Sequence, residues 1–331
     1  MITGKYPSLR LRRTRKYKWS RKLIQENNLS SSDLIFPIFL IEGKNKKQAI
    51  KSMPGIYRYS IDQLGMIVNH LIKYKIPMVA LFPSTPNNLK DKFGTEALNE
   101  NNLVCRAIRF IKKKFKNNIG IMSDVALDPY TSHGHDGLLK KDYVANDETI
   151  DVLIKQALLQ AQMGCDVIAP SDMMDGRVGK IRKFLDKNKY QDVQILSYAA
   201  KYASNFYGPF RDAVGSKKSL KGDKKNYQMD FSNSNESLRE VALDIKEGAD
   251  MVMVKPGLPY LDIIQKIKEN FKIPVLAYQV SGEYSLIKHG IKNKLINEEA
   301  IIESLMSFKR AGASAIISYF ALEIVKKLNL N

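Results

Sequence analysis

Cysteine is scarce: the 331-residue chain has two, Cys105 and Cys165, each inside an apolar segment. That excludes a disulfide-stapled mini-protein and points to a reducing, cytoplasmic compartment. No run of about 18 apolar residues occurs, so no membrane-spanning helix is expected. The basic stretch from Met1 to Lys22 lacks the apolar centre of a secretory signal. Acidic residues are also short, 34 against 53 Lys and Arg, which leaves a net charge of +19. Nucleic-acid binders share that imbalance. Here the lysines fall on expected helix exteriors and loops, at Lys112–Lys114, Lys217, Lys218, Lys221, Lys224 and Lys225. Only Arg10–Lys18 forms a dense basic block, and no reading motif or aromatic-interleaved basic surface follows it. Neither nucleic acid nor membrane is therefore expected as a partner. The rest is ordinary: 44% hydrophobic and 26% charged residues describe a globular protein, not a disordered or collagenous chain.

Short β-branched runs alternate with amphipathic stretches. Strands are expected at Leu34–Ile41, Met78–Phe82, Ile119–Val125, Asp166–Ala169, Val193–Tyr198, Asp250–Val254, Pro274–Val280 and Ser314–Tyr319. Apolar residues repeat at helical spacing at Ile150, Leu153, Ile154, Ala157, Leu158 and Ala161, and again from Leu261 to Phe271. Three joints share one grammar: MGCD before VIAP, EGAD before MVMVKP, and AGAS before AIISY. A glycine in the left-handed conformation can end each helix before the chain enters a buried strand. Eight strands separated by helices predict an α/β fold, a TIM (β/α)8 barrel. Residues 1–30 do not fit the repeat and read as an extended N-terminal arm. Residues 31–331 then form the barrel as one catalytic domain.

Functional residues of such a barrel gather at the C-terminal ends of its strands. Asp124 and Asp128 lie at and just after the third expected strand, and Ser171, Asp172 and Asp175 follow the fourth. Lys201 follows the fifth, Lys255 ends the sixth, Ser281 the seventh and Tyr319 the eighth. A lysine directly after MVMV loses solvation as an ammonium, and a second lysine nearby repels the charge further. The neutral amine that results can attack a ketone and form a Schiff base. The pattern equally allows Lys255 to snorkel or pair with a carboxylate, and AAK before Lys201 also reads as a helix start. The loop Ser123–Gly137 (SDVALDPYTSHGHDG) holds Asp124, Asp128, His133, His135 and Asp136. A hydrogen-bonded polar loop is its plainer reading and a metal site the other. It contains no cysteine, so no thiolate zinc site can form there.

The strings SDVALDPYTSHGHDG, APSDMMDGRVG, SYAAKYASNFYGPFRDA, GADMVMVKPGLPYLDI and YQVSGEY resemble the delta-aminolevulinic acid dehydratase (porphobilinogen synthase) family. Similarity extends to Arg10–Arg13, Met53–Gly55 and AGASAIISYF, nearly the whole chain. The resemblance implies a TIM-barrel enzyme with an N-terminal arm, usually a homo-octamer. It condenses two molecules of the substrate, 5-aminolevulinate, into porphobilinogen with loss of two waters, in tetrapyrrole (haem) biosynthesis. It puts the two Schiff-base lysines at Lys201 and Lys255, and a proton-transfer acid at Asp124. Arg211 and Lys224 would hold one substrate carboxylate, with Gln228 in the same segment; Ser281 and Tyr319 would hold the other. Relatives often carry arginine where Lys224 stands, and lysine lacks its bidentate fork. Where the animal-type proteins bind catalytic zinc through three cysteines, this chain has Ala126, Asp128 and Asp136. The resemblance is therefore to the aspartate-rich, magnesium-responsive branch, with no catalytic zinc expected. Its allosteric Mg²⁺ site maps to Glu240, and Asp128 and Asp136 remain open as further metal ligands. A class I aldolase barrel is the competing enzyme reading. It needs only one lysine.

Overall fold

The computed structural model of the chain describes every residue except 1–3, 142, 216–219, 221 and 329–331, so Lys217, Lys218 and Lys221 lie outside the described residues. Eight strands form the barrel: β1 (Leu34–Ile41), β2 (Met78–Ser84), β3 (Gly120–Val125), β4 (Val167–Pro170), β5 (Gln194–Lys201), β6 (Met251–Lys255), β7 (Val275–Gln279) and β8 (Ala315–Ser318). Each pairs in parallel with the next, and β8 closes on β1 through Leu34↔Ile316 and Ile35↔Ile317. Strands covered on both faces read as unbroken apolar runs, as LIFPIFL and VIAP do. Helices lie between them. In Leu103–Phe115, the Asn102 side chain caps the first turn by accepting the Cys105 N–H at 2.8 Å. The helix buries Val104, Ala107, Ile108, Ile111 and Phe115.

The three expected joints are built alike. Gly164, Gly248 and Gly312 have φ of 99°, 104° and 102°. The next residue of each, Cys165, Ala249 and Ala313, donates its N–H back to Gln160, Asp244 and Phe308, at 3.1, 3.0 and 3.0 Å. That is the 6→1 closure of a Schellman motif. In two joints the following aspartate then locks the strand. Asp166 donates its N–H to the Ile121 carbonyl and accepts the Ile121 N–H on its carboxylate. Asp250 does the same with Ile195. A side chain at these glycines would cost about 1–2 kcal/mol in left-handed strain.

Several boundaries differ from expectation. Lys201 is the last residue of β5 and does not open a helix: Ile195 to Lys201 are buried, and pairing with β6 holds the backbone extended. Ser281 lies beyond β7 and is the first residue of the helix Ser281–Lys292, while Tyr319 directly follows β8. An antiparallel pair, Lys47–Ala49 with Tyr57–Tyr59, adds to β1 and carries no apolar run to announce it. Residues 4–30 form two short helices, Arg12–Arg15 and Lys18–Leu23, in which only Ser20 is buried. Among the described residues no helix is long and apolar enough to cross a membrane.

Candidate active site

Pairing of β5 and β6 puts Lys201 directly beside Lys255. Both are buried, and both line one cavity with Asp128, Arg211, Lys224 and Gln228. The two amines meet different surroundings. The Lys255 Nζ sits among four rings, 4.7 Å from the centre of Tyr278, 5.0 Å from Tyr198, 5.2 Å from Phe210 and 5.5 Å from Tyr207. Burial, and then repulsion from Lys201, pull its pKa down to about 7 against the attraction of Asp124.

Lys201 faces polar partners. Its Nζ donates to the Ser171 carbonyl and to Asp136 Oδ2, the latter at 3.2 Å. Asp136 is wholly buried and also accepts from Lys224 at 2.6 Å and Gln228 at 3.3 Å. Burial alone would raise its pKa; Lys201 and Lys224 outweigh that and hold it well below the usual carboxylate range. Lys224 reaches Asp128 as well, at 3.5 Å. Burial raises the Asp128 pKa, with Lys224 pulling the other way. Asp124, the penultimate residue of β3, is pushed up to about 6 by burial against Lys255 and Lys201. Gln160 fixes its backbone by donating to its carbonyl at 3.0 Å.

Arg211 lies in the helix Gly208–Ala213, on the cavity wall. Ser281 and Tyr319 do not line that cavity and belong instead to the aromatic side of the mouth. The Ser281 hydroxyl accepts the Phe210 N–H at 2.8 Å, and its own proton is left to donate. The Tyr319 ring stacks on Phe39, with its hydroxyl 2.9 Å from that of Tyr278. Glu240 does not line that cavity; it is half-buried in the helix Asn235–Lys246, beside a cleft with Asp175 and Glu236. Burial, then the neighbouring carboxylates Asp244, Asp175 and Glu236, push its pKa up to about 7 although Arg177 opposes them.

Sequence reasoning missed two features: the rings around Lys255 and the binding of Lys224 to the protein's own carboxylates. Tyr198, Tyr207, Phe210 and Tyr278 come from β5, the segment after it, and β7. No local period marks such a set.

Metal fit differs between the two acidic places. At Asp128 and Asp136, lysine ammonium groups already supply the positive charge, and a divalent ion would have to displace Lys224. Glu240 and its acidic neighbours hold excess negative charge that a hard cation would relieve. Among the described residues no group of three or more His, Cys, Asp or Glu side chains is arranged to hold a metal.

A closed parallel barrel with paired lysines at its strand ends, one of them largely free to shed its proton, defines a barrel enzyme of carbonyl chemistry through amines. The comparisons narrow that class. A family profile described as Delta-aminolevulinic acid dehydratase matches residues 8–327. The delta-aminolevulinic acid dehydratase of Bradyrhizobium diazoefficiens is 56% identical, over 97% of this chain and 91% of that protein. That of Methanothermus sociabilis is 49% identical, over 98% and 100%. The crystal structure of the Toxoplasma gondii enzyme with its reaction product porphobilinogen superposes with a TM-score of 0.94 at 46% identity, covering 96% of this chain and 91% of that one. The chain belongs to the delta-aminolevulinic acid dehydratase family.

Proposed function

We propose that the two lysines divide the condensation of two 5-aminolevulinate molecules into porphobilinogen, Lys255 carrying the principal Schiff base and Lys201 the second. The enzyme joins the two substrates with loss of two waters. With a pKa near 7, Lys255 is about half neutral at neutral pH. Its amine attacks the substrate ketone, and the carbinolamine loses water to give the imine. Asp124, with a pKa near 6, is matched to give and take the protons of these steps. Arg211, Gln228 and Lys224 face the polar side, where they bind one substrate carboxylate; Lys224 does so while still bonded to Asp136. Ser281 and Tyr319 donate to the other carboxylate on the aromatic side. The observation that carries this reading is the pair Lys255↔Lys201 on adjacent strands. Borohydride added with substrate is expected to trap an adduct on Lys255, and Lys255→Ala to lose several orders of magnitude in rate. Normal turnover by that variant would overturn the assignment.

The magnesium response is part of the proposal. Mg²⁺ would be held by Glu240, with Asp175 and Glu236 nearby, and would supply positive charge at that surface without touching the lysines. The effect requires tighter binding to the active assembly than to other forms. We read that assembly as a homo-oligomer, which the exposure of Trp19 and Leu23 on the arm, at 67% and 77%, supports; its size, an octamer, is what the family resemblance implies. A cytoplasmic setting suits the two free, buried cysteines. Glu240→Ala is expected to abolish Mg²⁺ stimulation, keep basal activity and shift the particle mass downward in dilute solution. Unchanged Mg²⁺ stimulation with unchanged mass would move the site elsewhere.

A further inference from the structure

Glu283 is 2% exposed, and no cation pairs with it among the described residues. Three backbone N–H groups converge on its carboxylate instead. Val280 donates to Oε2 at 2.5 Å, Leu258 to Oε1 at 2.5 Å, and Gly257 to Oε2 at a longer 3.5 Å. Both oxygens accept, so a side chain with one acceptor atom cannot reproduce the arrangement. The donors come from two loops. Gly257 and Leu258 follow Lys255 by two and three residues, and Val280 immediately precedes Ser281. The carboxylate is therefore a brace between the loop behind one lysine and the start of the Ser281 helix.

The brace has little slack around it. A methyl group on Gly257 would come within 2.3 Å of the Phe308 ring, and one on Gly282 within 2.4 Å of the Phe206 carbonyl oxygen. Ser281 in turn holds the Phe210 N–H. We propose that Glu283 is a positioning residue: it fixes the span from the Lys255 amine to the Ser281 hydroxyl and thereby selects acids with the ketone at carbon 4. This rests on the roles proposed above for Lys255 and Ser281. A ketone that sits on the amine while its carboxylate reaches the hydroxyl must have the right number of carbons between them. A loosened brace would admit a longer acid.

The test compares 4-oxopentanoate with 5-oxohexanoate, each trapped on Lys255 by borohydride over a range of concentrations. The intact enzyme is expected to favour the shorter acid. Glu283→Gln keeps the shape but puts an amide donor where an acceptor is needed. It is expected to raise the half-saturating concentration of 4-oxopentanoate about tenfold and to reduce the preference over 5-oxohexanoate, with saturated trapping largely retained. If that variant does not fold, Glu283→Asp keeps both acceptor oxygens on a shorter side chain and is expected to erode the same preference. A folded Glu283→Gln with wild-type half-saturation and wild-type length preference would overturn the proposal. Failure of the unaltered enzyme to form any Lys255 adduct would instead overturn the Schiff-base reading, and this inference with it.

Discussion

The mouth of the barrel has an aromatic half and a carboxylate half, and each surrounds one of the two paired lysines. On the aromatic half, Lys255 has rings for neighbours, and burial brings its amine to a pKa of about 7. On the other half, Lys201 donates to Asp136 at 3.2 Å and to a backbone carbonyl. The two residues sit side by side in one sheet, so strand position does not separate their chemistry. The identity of the wall does. One wall strips an ammonium of solvent and offers no direct counter-charge; the other balances each amine with a carboxylate.

Breaking the carboxylate half should have the largest effect. Asp136→Asn leaves Lys201 and Lys224 buried with one anion fewer, an expected loss of about 3–5 kcal/mol in stability near neutral pH, read by denaturant unfolding. Because the Asp136 pKa is depressed in the folded protein, its stabilisation is present above the ordinary carboxylate pKa and is lost as pH falls below it. The gap between variant and parent should close in acid. The same substitution removes an attraction on the Lys255 ammonium, so the acid limb of kcat/KM should move to lower pH. An unmoved limb would disconnect the two halves.

Breaking the aromatic half should give the opposite sign. The folded protein disfavours the Lys255 ammonium, so that penalty is fully present below about pH 7 and fades as pH rises towards the ordinary lysine value. Lys255→Met should therefore stabilise the fold by about 1–4 kcal/mol at pH 6 and much less at pH 10, while abolishing turnover. Equal melting shifts at both pH values would contradict the assigned titration. A smaller effect sharpens the comparison: Tyr319→Phe removes one donor on the aromatic side and should cost about 1–3 kcal/mol in kcat/KM. The polar-side cations are untouched by it, and unchanged kcat/KM would remove Tyr319 from the carboxylate's partners.

The sequence announces the barrel better than it announces these walls. Its strands are local apolar runs, and the glycines at 164, 248 and 312 stop helices by a rule that acts within six residues. Lys255 is legible for the same reason, since a charge at the end of MVMV is locally anomalous. The end of β5 was harder, because SYAAK suits helix and strand alike and only its pairing with β6 decides. Asp136 and Lys224 are 88 positions apart and meet only when the loops fold over the mouth. Phe39, Phe82 and Phe210 come from three separate segments, and only the fold brings their rings together, 5.4–6.1 Å apart.

The register that places Lys201 opposite Lys255 also sets an entropy. Neighbouring strands lie about 4.8 Å apart, so two substrates tethered in the proposed way, one to each lysine, would be held about one strand spacing from each other before any bond between them forms. On the proposed double attachment, encounter in solution would become reaction between two arms of a single molecule. Well-oriented intramolecular reactions reach effective concentrations of about 10⁵–10⁸ M, far above any attainable by free reactants. A one-residue slip between β5 and β6 would turn one lysine away from the mouth and forfeit that advantage, even with every other side chain of the site in place.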